Sequence, residues 1–196
     1  MIRLALIRHG HTDWNRAGRI QGRSDIPLDD DARQGLAELT LPTPWNTARL
    51  WSSPLERAVE TARLIDGRAP DTAPQLTEMN WGDWEGQRGV DLLAQDDSGF
   101  RHIEDWGWDY RPPNGESPRQ VWNRLRPWLE TRAEDAVLVC HIGVMRVILA
   151  RAMGWDFSGP PPFQVKRNRL YVVQVDGNTL RAEPPPIRLP DRGSAR

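Results

Sequence analysis

The sequence predicts a three-layer α/β/α sandwich around a mostly parallel central sheet. Three observations carry that expectation. Apolar, β-branched runs of strand length lack the polar alternation of a half-exposed sheet, which suits strands buried on both faces. Helix-start signals stand between those runs. The two patterns alternate along the chain as βα units do. At 196 residues the chain is long enough for one domain with its own core.

"IRLALIR" (2–8) is a buried strand that runs straight into Arg8, His9 and Gly10. Asp30 to Leu39 has a helical pattern, and "ARLWS" (48–52) is a second strand. Ser53-Pro54-Leu55-Glu56 then reads as a helix start, with Ser as N-cap, Pro first and Glu third. Gly86 to Gly115 is irregular and rich in Asp, Trp and Gly, so 86–116 is expected to be a lid-like insertion. Ser117-Pro118-Arg119-Gln120 repeats the start signal and opens a helix to about Arg132. "AVLVCH" (136–141) is a third buried strand, followed after Gly143 by the helical "VMRVILARAM". "RLYVVQVD" (169–176) and "TLRAEP" (179–184) flank Gly177-Asn178, the spacing of a hairpin. The domain is therefore expected over 1–183, with the Pro-rich stretch 184–196 as an extended, partly mobile tail.

Composition narrows the function. The 26 basic and 27 acidic residues leave a net charge of −1, without the basic footprint of a nucleic-acid binder. One cysteine, Cys140, excludes an intrachain disulfide framework and a Cys-rich metal site and fits a reducing compartment. No run approaches the roughly 18 apolar residues of a membrane span, and the opening segment lacks the pattern of a signal peptide. A cytoplasmic protein without nucleic-acid or membrane partners is the expectation. Oligomeric state is not legible.

In parallel sheets, ligands sit beyond the carboxyl ends of the strands. Those ends carry Arg8 and His9, then Ser52-Ser53 with Arg57 one helical turn on, then His141 before Gly143. Two imidazoles and two guanidiniums on one rim suit a tetrahedral dianion, because Arg presents forked donors to oxyanions. The glycines allow close backbone approach, and the helix near Ser53 is expected to offer free N–H groups and a positive dipole end. His9-Gly10-His11 could supply half a metal site, but alternate strand residues face opposite ways and no third ligand follows at useful spacing. No metal and no cofactor are expected. His102 reads as incidental and Cys140 as a buried, inert thiol. There is no GxxxxGK[ST] loop, GxGxxG turn or GxSxG elbow.

The motifs resemble those of the histidine phosphatase superfamily, also called phosphoglycerate-mutase-like. "RHGHTDWN" is similar to its signature, a strand ending in Arg-His-Gly with Asn six residues after the His. "GRIQGRSDIPLDDDARQGLAEL" resembles the continuation, "SSPLERAVETA" the second phosphate-binding block, "LTEMNWGDWEG" the acid block, "PNGESPRQVWNR" the block before a long helix, and "VLVCHIGVMR" the block with the second histidine. Together they cover about residues 2 to 150 in the family's order. One departure is His11, where Glu or Gln is commoner.

The resemblance implies a metal-independent phosphomonoesterase acting on a small phosphate monoester through a phosphohistidine on His9. It implies that Arg8, Arg57, Asn15 and His141 clamp the phosphate oxygens and that Glu78 is the proton donor, ahead of Asp83 and Glu85. It places Gln21 and Gly22 in a substrate-contacting loop. Arg8 and Arg57 are expected to keep the His9 imidazole neutral. Six acids against three arginines in the lid segment (Asp91, Asp96, Asp97, Glu104, Asp105 and Asp109; Arg88, Arg101 and Arg111) are expected to repel anionic leaving groups. Trp106, Trp108 and Tyr110 are expected either to face such a group or to pack the lid. The alternatives are a phosphoglycerate mutase and a catalytically inactive phosphate-ligand binding protein.

Overall fold

Along the first strand, Ile2–Arg8 (β1), side chains alternate between two cores. Leu4 and Leu6 enter one apolar cluster, and Ala5 and Ile7 the other. The neighbouring strand Ala136–Cys140 (β4) divides in the same way, Leu138 and Cys140 against Val137 and Val139. Burial on both faces is why neither strand shows polar alternation. The computed structural model describes residues 1–193.

The other elements are α1 (Asp13–Arg16), α2 (Asp30–Ala37), β2 (Arg49–Ser52), α3 (Glu56–Asp66), β3 (Asp71–Thr72), α4 (Gly89–Leu93), α5 (Pro118–Glu130), α6 (Ile142–Met153), β5 (Arg169–Asp176) and β6 (Thr179–Arg188). The sheet order is β3-β2-β4-β1-β5-β6. The first four of these are mutually parallel, while β5 runs antiparallel to β1 and β6 to β5. Leu36 of α2 and Ala58, Ala62 and Ile65 of α3 fill one face. Val121 and Leu125 of α5 with Val144 and Ile148 of α6 fill the other. The expected three-layer, mostly parallel sandwich is therefore present. Gly177 has φ +56° at the hairpin between β5 and β6, a conformation glycine adopts without a Cβ penalty.

Three local expectations are corrected. The helix expected at Ser53 begins at Glu56, with Leu55 in the N-cap position. Ser53 Oγ instead meets His141, and the first helical N–H, of Glu56, donates to Asp25 Oδ1 (2.9 Å). The strand expected through 141 ends at Cys140, and His141 is the N-cap of α6, so Gly143 lies inside the helix rather than before it. Finally, β6 continues through Pro184, Pro185 and Pro186 to Arg188. It is an edge strand, where a missing N–H leaves no ladder partner unsatisfied. Beyond it, Leu189 is buried and Arg192 donates to the carbonyls of Ala37 and Leu64. The expected tail is therefore strand as far as Arg188 and is tied down at Leu189 and Arg192, and its residues 194–196 lie outside the described residues. Among the described residues, no helix is long and apolar enough to cross a membrane.

Candidate active site

Arg8 of β1 pairs with Cys140 of β4, so the residues after them, His9 and His141, emerge side by side. His9 N donates to Cys140 O (3.0 Å), and the two imidazole centroids are 5.0 Å apart at 58°. The chain leaves β1 for α2 on one face and leaves β4 for α6 on the other. That divergence opens a crevice beyond the strand ends, the usual ligand position in such sheets. A cavity of about 180 Å³ lies there, lined among others by Arg8, His9, Asn15, Gln21, Glu78 and Trp81.

The His9 ring is oriented by its backbone neighbour. Nδ1 lies 2.7 Å from Gly10 O. A carbonyl oxygen only accepts, so Nδ1 carries the proton and Nε2 keeps its lone pair. Gly10 is itself pinned, its N–H donating to Thr61 Oγ1 (3.0 Å) and its Cα packed so closely that a Cβ would sit 2.7 Å from Leu36 Cδ1. His9 is 3 % exposed, and its basicity is pushed well below the ordinary histidine value, first by burial and then by His141, Arg57, Arg167 and Arg8. The expected effect of the arginines is present, but desolvation exceeds it.

His141 is fully buried, with Nε2 2.7 Å from Ser53 Oγ. Burial first, then Arg57, Arg124 and Arg8, also holds it neutral. Arg57 is fully buried beside them and donates to Gly22 O (2.6 Å) and Ser24 O (2.8 Å). Gly22 is thus placed as a support for Arg57, and it is not among the residues lining the cavity. Burial lowers Arg8 to about 10, and Glu78 acts in the opposite direction. Arg8 Nε, Arg57 Nε, Gln21 Nε2 and His141 Nδ1 are buried without a hydrogen-bond partner among the described residues. Unpaired buried donors are costly, and those of Arg8 and Gln21, which line the cavity, mark a place for an acceptor-rich ligand.

Glu78 is 2 % exposed and lines the same cavity. Its carboxylate accepts from Gly143 N (3.1 Å) and Val144 N (3.3 Å) at the start of α6, and from Met79 N (2.8 Å). A Cβ on Gly143 would overlap Glu78 Oε1, so glycine is required here for close approach. Burial raises the Glu78 pKa, against the lowering effect of the backbone donors and of Arg57 and Arg124. The acids ranked behind it are engaged elsewhere, Asp83 with Asn114 and Glu85 with Ser24 N. Asp25 thus takes the first N–H of α3, one of those expected to be free near Ser53, and Glu78 takes those of Gly143 and Val144 in the first turn of α6.

Asn15 Nδ2 donates to Gln21 Oε1 (3.0 Å), and both residues line the cavity. Arg167, from the segment before β5, donates to His9 O (3.0 Å) and Asn15 Oδ1 (2.7 Å). Sequence reasoning missed Arg167 because it stands outside every motif block and 158 residues from His9. It also missed Arg146 on α6, whose charge acts on Arg8. The role of Ser53 beside His141 was hidden by its reading as a cap.

The outer rim is Arg19, Ile20, Trp81, Phe100 and Ile142. Phe100 is the one residue of 86–116 among those lining the cavity. Of the two roles expected for Trp106, Trp108 and Tyr110, packing is the one observed. Trp106 is buried with its ring 5.4 Å from that of Trp81, Trp108 packs on Phe157 (5.0 Å), and Tyr110 lies against Trp84 and under Arg101. None of the six acids of that segment lines the cavity, and Asp109 is paired with Arg119. Burial pushes the Cys140 thiol far up, and His102 sits at the edge of the Phe100 ring. His11 lies outside the cavity, in a separate depression with Arg16, Asp31 and Arg167.

The α/β sandwich thus carries His9 and His141 just beyond the ends of β1 and β4, with Arg8 closing β1 and Arg57 on the first turn of α3. Residues 4–183 match the family model of the histidine phosphatase superfamily (branch 1), and the chain belongs to that superfamily. It is 31 % identical over 188 residues to the adenosylcobalamin/alpha-ribazole phosphatase of Salmonella typhimurium, covering 89 % of this chain and 91 % of that protein. It is 30 % identical over 179 residues to a probable phosphoglycerate mutase, GpmB, of Proteus mirabilis, covering 87 % and 81 %. The solved structure of YhfR from Bacillus stearothermophilus superposes with a TM-score of 0.78 at 28 % identity, covering 93 % and 95 %.

Proposed function

We propose that this protein is a metal-independent phosphomonoesterase that hydrolyses small phosphate monoesters through a phosphohistidine on His9. The observation that carries the reading is the His9 ring. Its Nδ1 proton is committed to Gly10 O, its Nε2 lone pair is free, the His141 ring centroid is 5.0 Å from its own, and Arg8 and Arg57 carry buried, unpaired Nε donors. Nε2 attacks phosphorus in line, a P–N bond forms, and the ester P–O bond breaks. Protonated Glu78 gives its proton to the departing oxygen. Water then attacks phosphorus, the Glu78 carboxylate takes a proton from it, and the P–N bond breaks to restore neutral His9. The arginines and His141 stabilise the charge on the transferring group, where positioning and electrostatics supply most of the rate.

The rim supports hydrolysis of esters with neutral or aromatic leaving groups. Ile20, Trp81, Phe100 and Ile142 present apolar surface at the mouth, which suits a flat uncharged group. The naming of one relative as an alpha-ribazole phosphatase agrees with a phosphatase reading. The second reading, a phosphoglycerate mutase, is favoured by the GpmB relative and by Arg19 at the rim. Arg19 already donates to Gly86 O (2.8 Å), so it is a weak anchor for a substrate carboxylate. Phosphate release from a panel of monoesters, measured beside interconversion of 2- and 3-phosphoglycerate, tests the choice. Release with negligible interconversion is expected, and efficient interconversion with little release would overturn it. The single buried cysteine agrees with a cytoplasmic enzyme.

A further inference from the structure

The interior of the site contains a chain of amides whose polarity is set from outside it. Arg167 has donors and no acceptor. Its Nη2 lies 2.7 Å from Asn15, so the Asn15 carbonyl Oδ1 must face it. Thr12 N donates to the same Oδ1 at 3.3 Å, which makes the arginine bond the tighter of the two. With Oδ1 committed, Asn15 turns its Nδ2 to Gln21, whose Oε1 accepts at 3.0 Å. Thr12 Oγ1 accepts from Asn15 N (3.3 Å) and donates to the same Gln21 oxygen (2.9 Å). Gln21 Oε1 is thereby doubly occupied, and Nε2 is the end left over. That nitrogen is buried with no partner among the described residues, and Gln21, at 9 % exposure, lines the cavity.

We infer that Arg167 is a positioning residue that makes Gln21 Nε2 a fixed donor to the phosphate group. A carboxamide free to flip would present its carbonyl oxygen to a dianion as readily as its N–H, and the wrong face repels. The relay Arg167 to Asn15 to Gln21 removes that choice before substrate arrives, which is preorganisation in the electrostatic sense. Through its Nε bond to His9 O (3.0 Å), the same guanidinium also anchors the backbone next to the Gly10 carbonyl that orients the His9 ring. The inference rests on the cavity being a phosphate site, as proposed above, but it does not require turnover.

The test is a double-mutant cycle on the binding of inorganic phosphate, with Arg167→Met, Gln21→Met and the double variant, each checked by a thermal melt. If Arg167→Met does not fold, Arg167→Gln replaces it in the same cycle. Each single substitution is expected to weaken phosphate binding by roughly 10-fold or more, the scale of one hydrogen bond to a charged group. In the Gln21→Met background, the further loss from changing Arg167 should shrink to less than about 3-fold, because the relay no longer has an end. A loss of equal factor in both backgrounds would show that Arg167 acts only as a general charge or packing element and would overturn the relay. So would unchanged phosphate affinity in the Arg167 variant. Wild type that binds phosphate but forms no phosphohistidine would remove the enzymatic reading and leave this cycle readable.

Discussion

The inner wall and the outer rim of the cavity are built differently. His9, His141, Arg57 and Glu78 are at most 3 % exposed, and they are held by Gly10 O, Ser53 Oγ, Gly22 O and Gly143 N respectively. The rim takes Arg19, Ile20 and Trp81 from loops, Phe100 from the irregular 86–116 segment and Ile142 from the start of α6, and the 86–116 segment is stitched to Ile20 by Ile20 N donating to Gln87 O and Gly86 N donating to Ile20 O (both 2.8 Å). The wall has almost no freedom to change without loss of the core, whereas the rim can change one side chain at a time. Chemistry common to a superfamily belongs on the first, and substrate choice on the second.

The largest losses are expected at the wall. Glu78→Gln keeps the shape but removes the proton. Turnover of alkyl phosphates should fall by roughly 10²- to 10⁴-fold, the usual contribution of a general acid, while aryl phosphates lose far less because their leaving groups depart without a proton. Equal losses for both classes would move the role away from Glu78. Gly143→Ala is a subtler break. The helix tolerates alanine, but its Cβ overlaps Glu78 Oε1, so the carboxyl must shift. A displacement near 1 Å can cost on the order of 10²-fold, and again alkyl esters should suffer more than aryl esters, with the melting temperature lowered only modestly.

At the rim, effects should be smaller and should fall on KM. Phe100→Ala removes apolar surface worth about 0.5–1.5 kcal/mol of ring contact. KM for an aryl phosphate should rise by roughly 2- to 10-fold, with kcat and the rate for a small alkyl ester unchanged. A large fall in kcat would show that Phe100 belongs to the wall.

The pH dependence of stability sharpens the same contrast. His9 and His141 are held below the ordinary value of 6.5. From 6.5 downward, the unfolded chain takes up protons that the folded one refuses, so stability falls as pH falls through that window. Glu78 has the opposite sign. Its folded pKa is raised above 4.5, so the unfolded chain ionises first and stability falls as pH rises from 4.5 to the raised value. Two imidazoles against one carboxyl leave a net rise of stability with pH between about 5 and 7. Denaturant midpoints across that range should show it, and His141→Asn should flatten the slope. A slope unchanged by that substitution would contradict a buried, neutral His141.

Much of the wall was legible in the sequence because its residues follow buried strands directly. Once "LALIR" and "AVLVC" are read as parallel neighbours, His9 and His141 must meet at the same sheet edge. Glu78 was legible through the family's acid block, but its lodging on the first N–H groups of α6 was not, since nothing local links residues 78 and 143. The capping signals at Ser53 and Ser117 look alike, yet only Ser117 caps its helix. Tertiary contact decided the difference, because Ser53 Oγ is taken by His141 and Asp25 reaches in to the first N–H of α3. Arg167 and Phe100 carry no local signature, and long-range packing alone brings Phe100 to the cavity and Arg167 to His9 O and Asn15 Oδ1. The prolines of β6 suggested a loose tail because their tolerance depends on edge position, which is a property of the whole sheet.

In the proposed reaction phosphorus is transferred to His9 Nε2. The most direct measurement is rapid quench of the protein with a labelled aryl phosphate, followed by mapping of the acid-labile adduct. The account predicts a burst of label, at most one per chain, on the peptide containing His9, and its absence in His9→Ala, which should keep its fold and lose turnover. Label on His141, Ser52 or Cys140, or turnover that persists in His9→Ala, would contradict it.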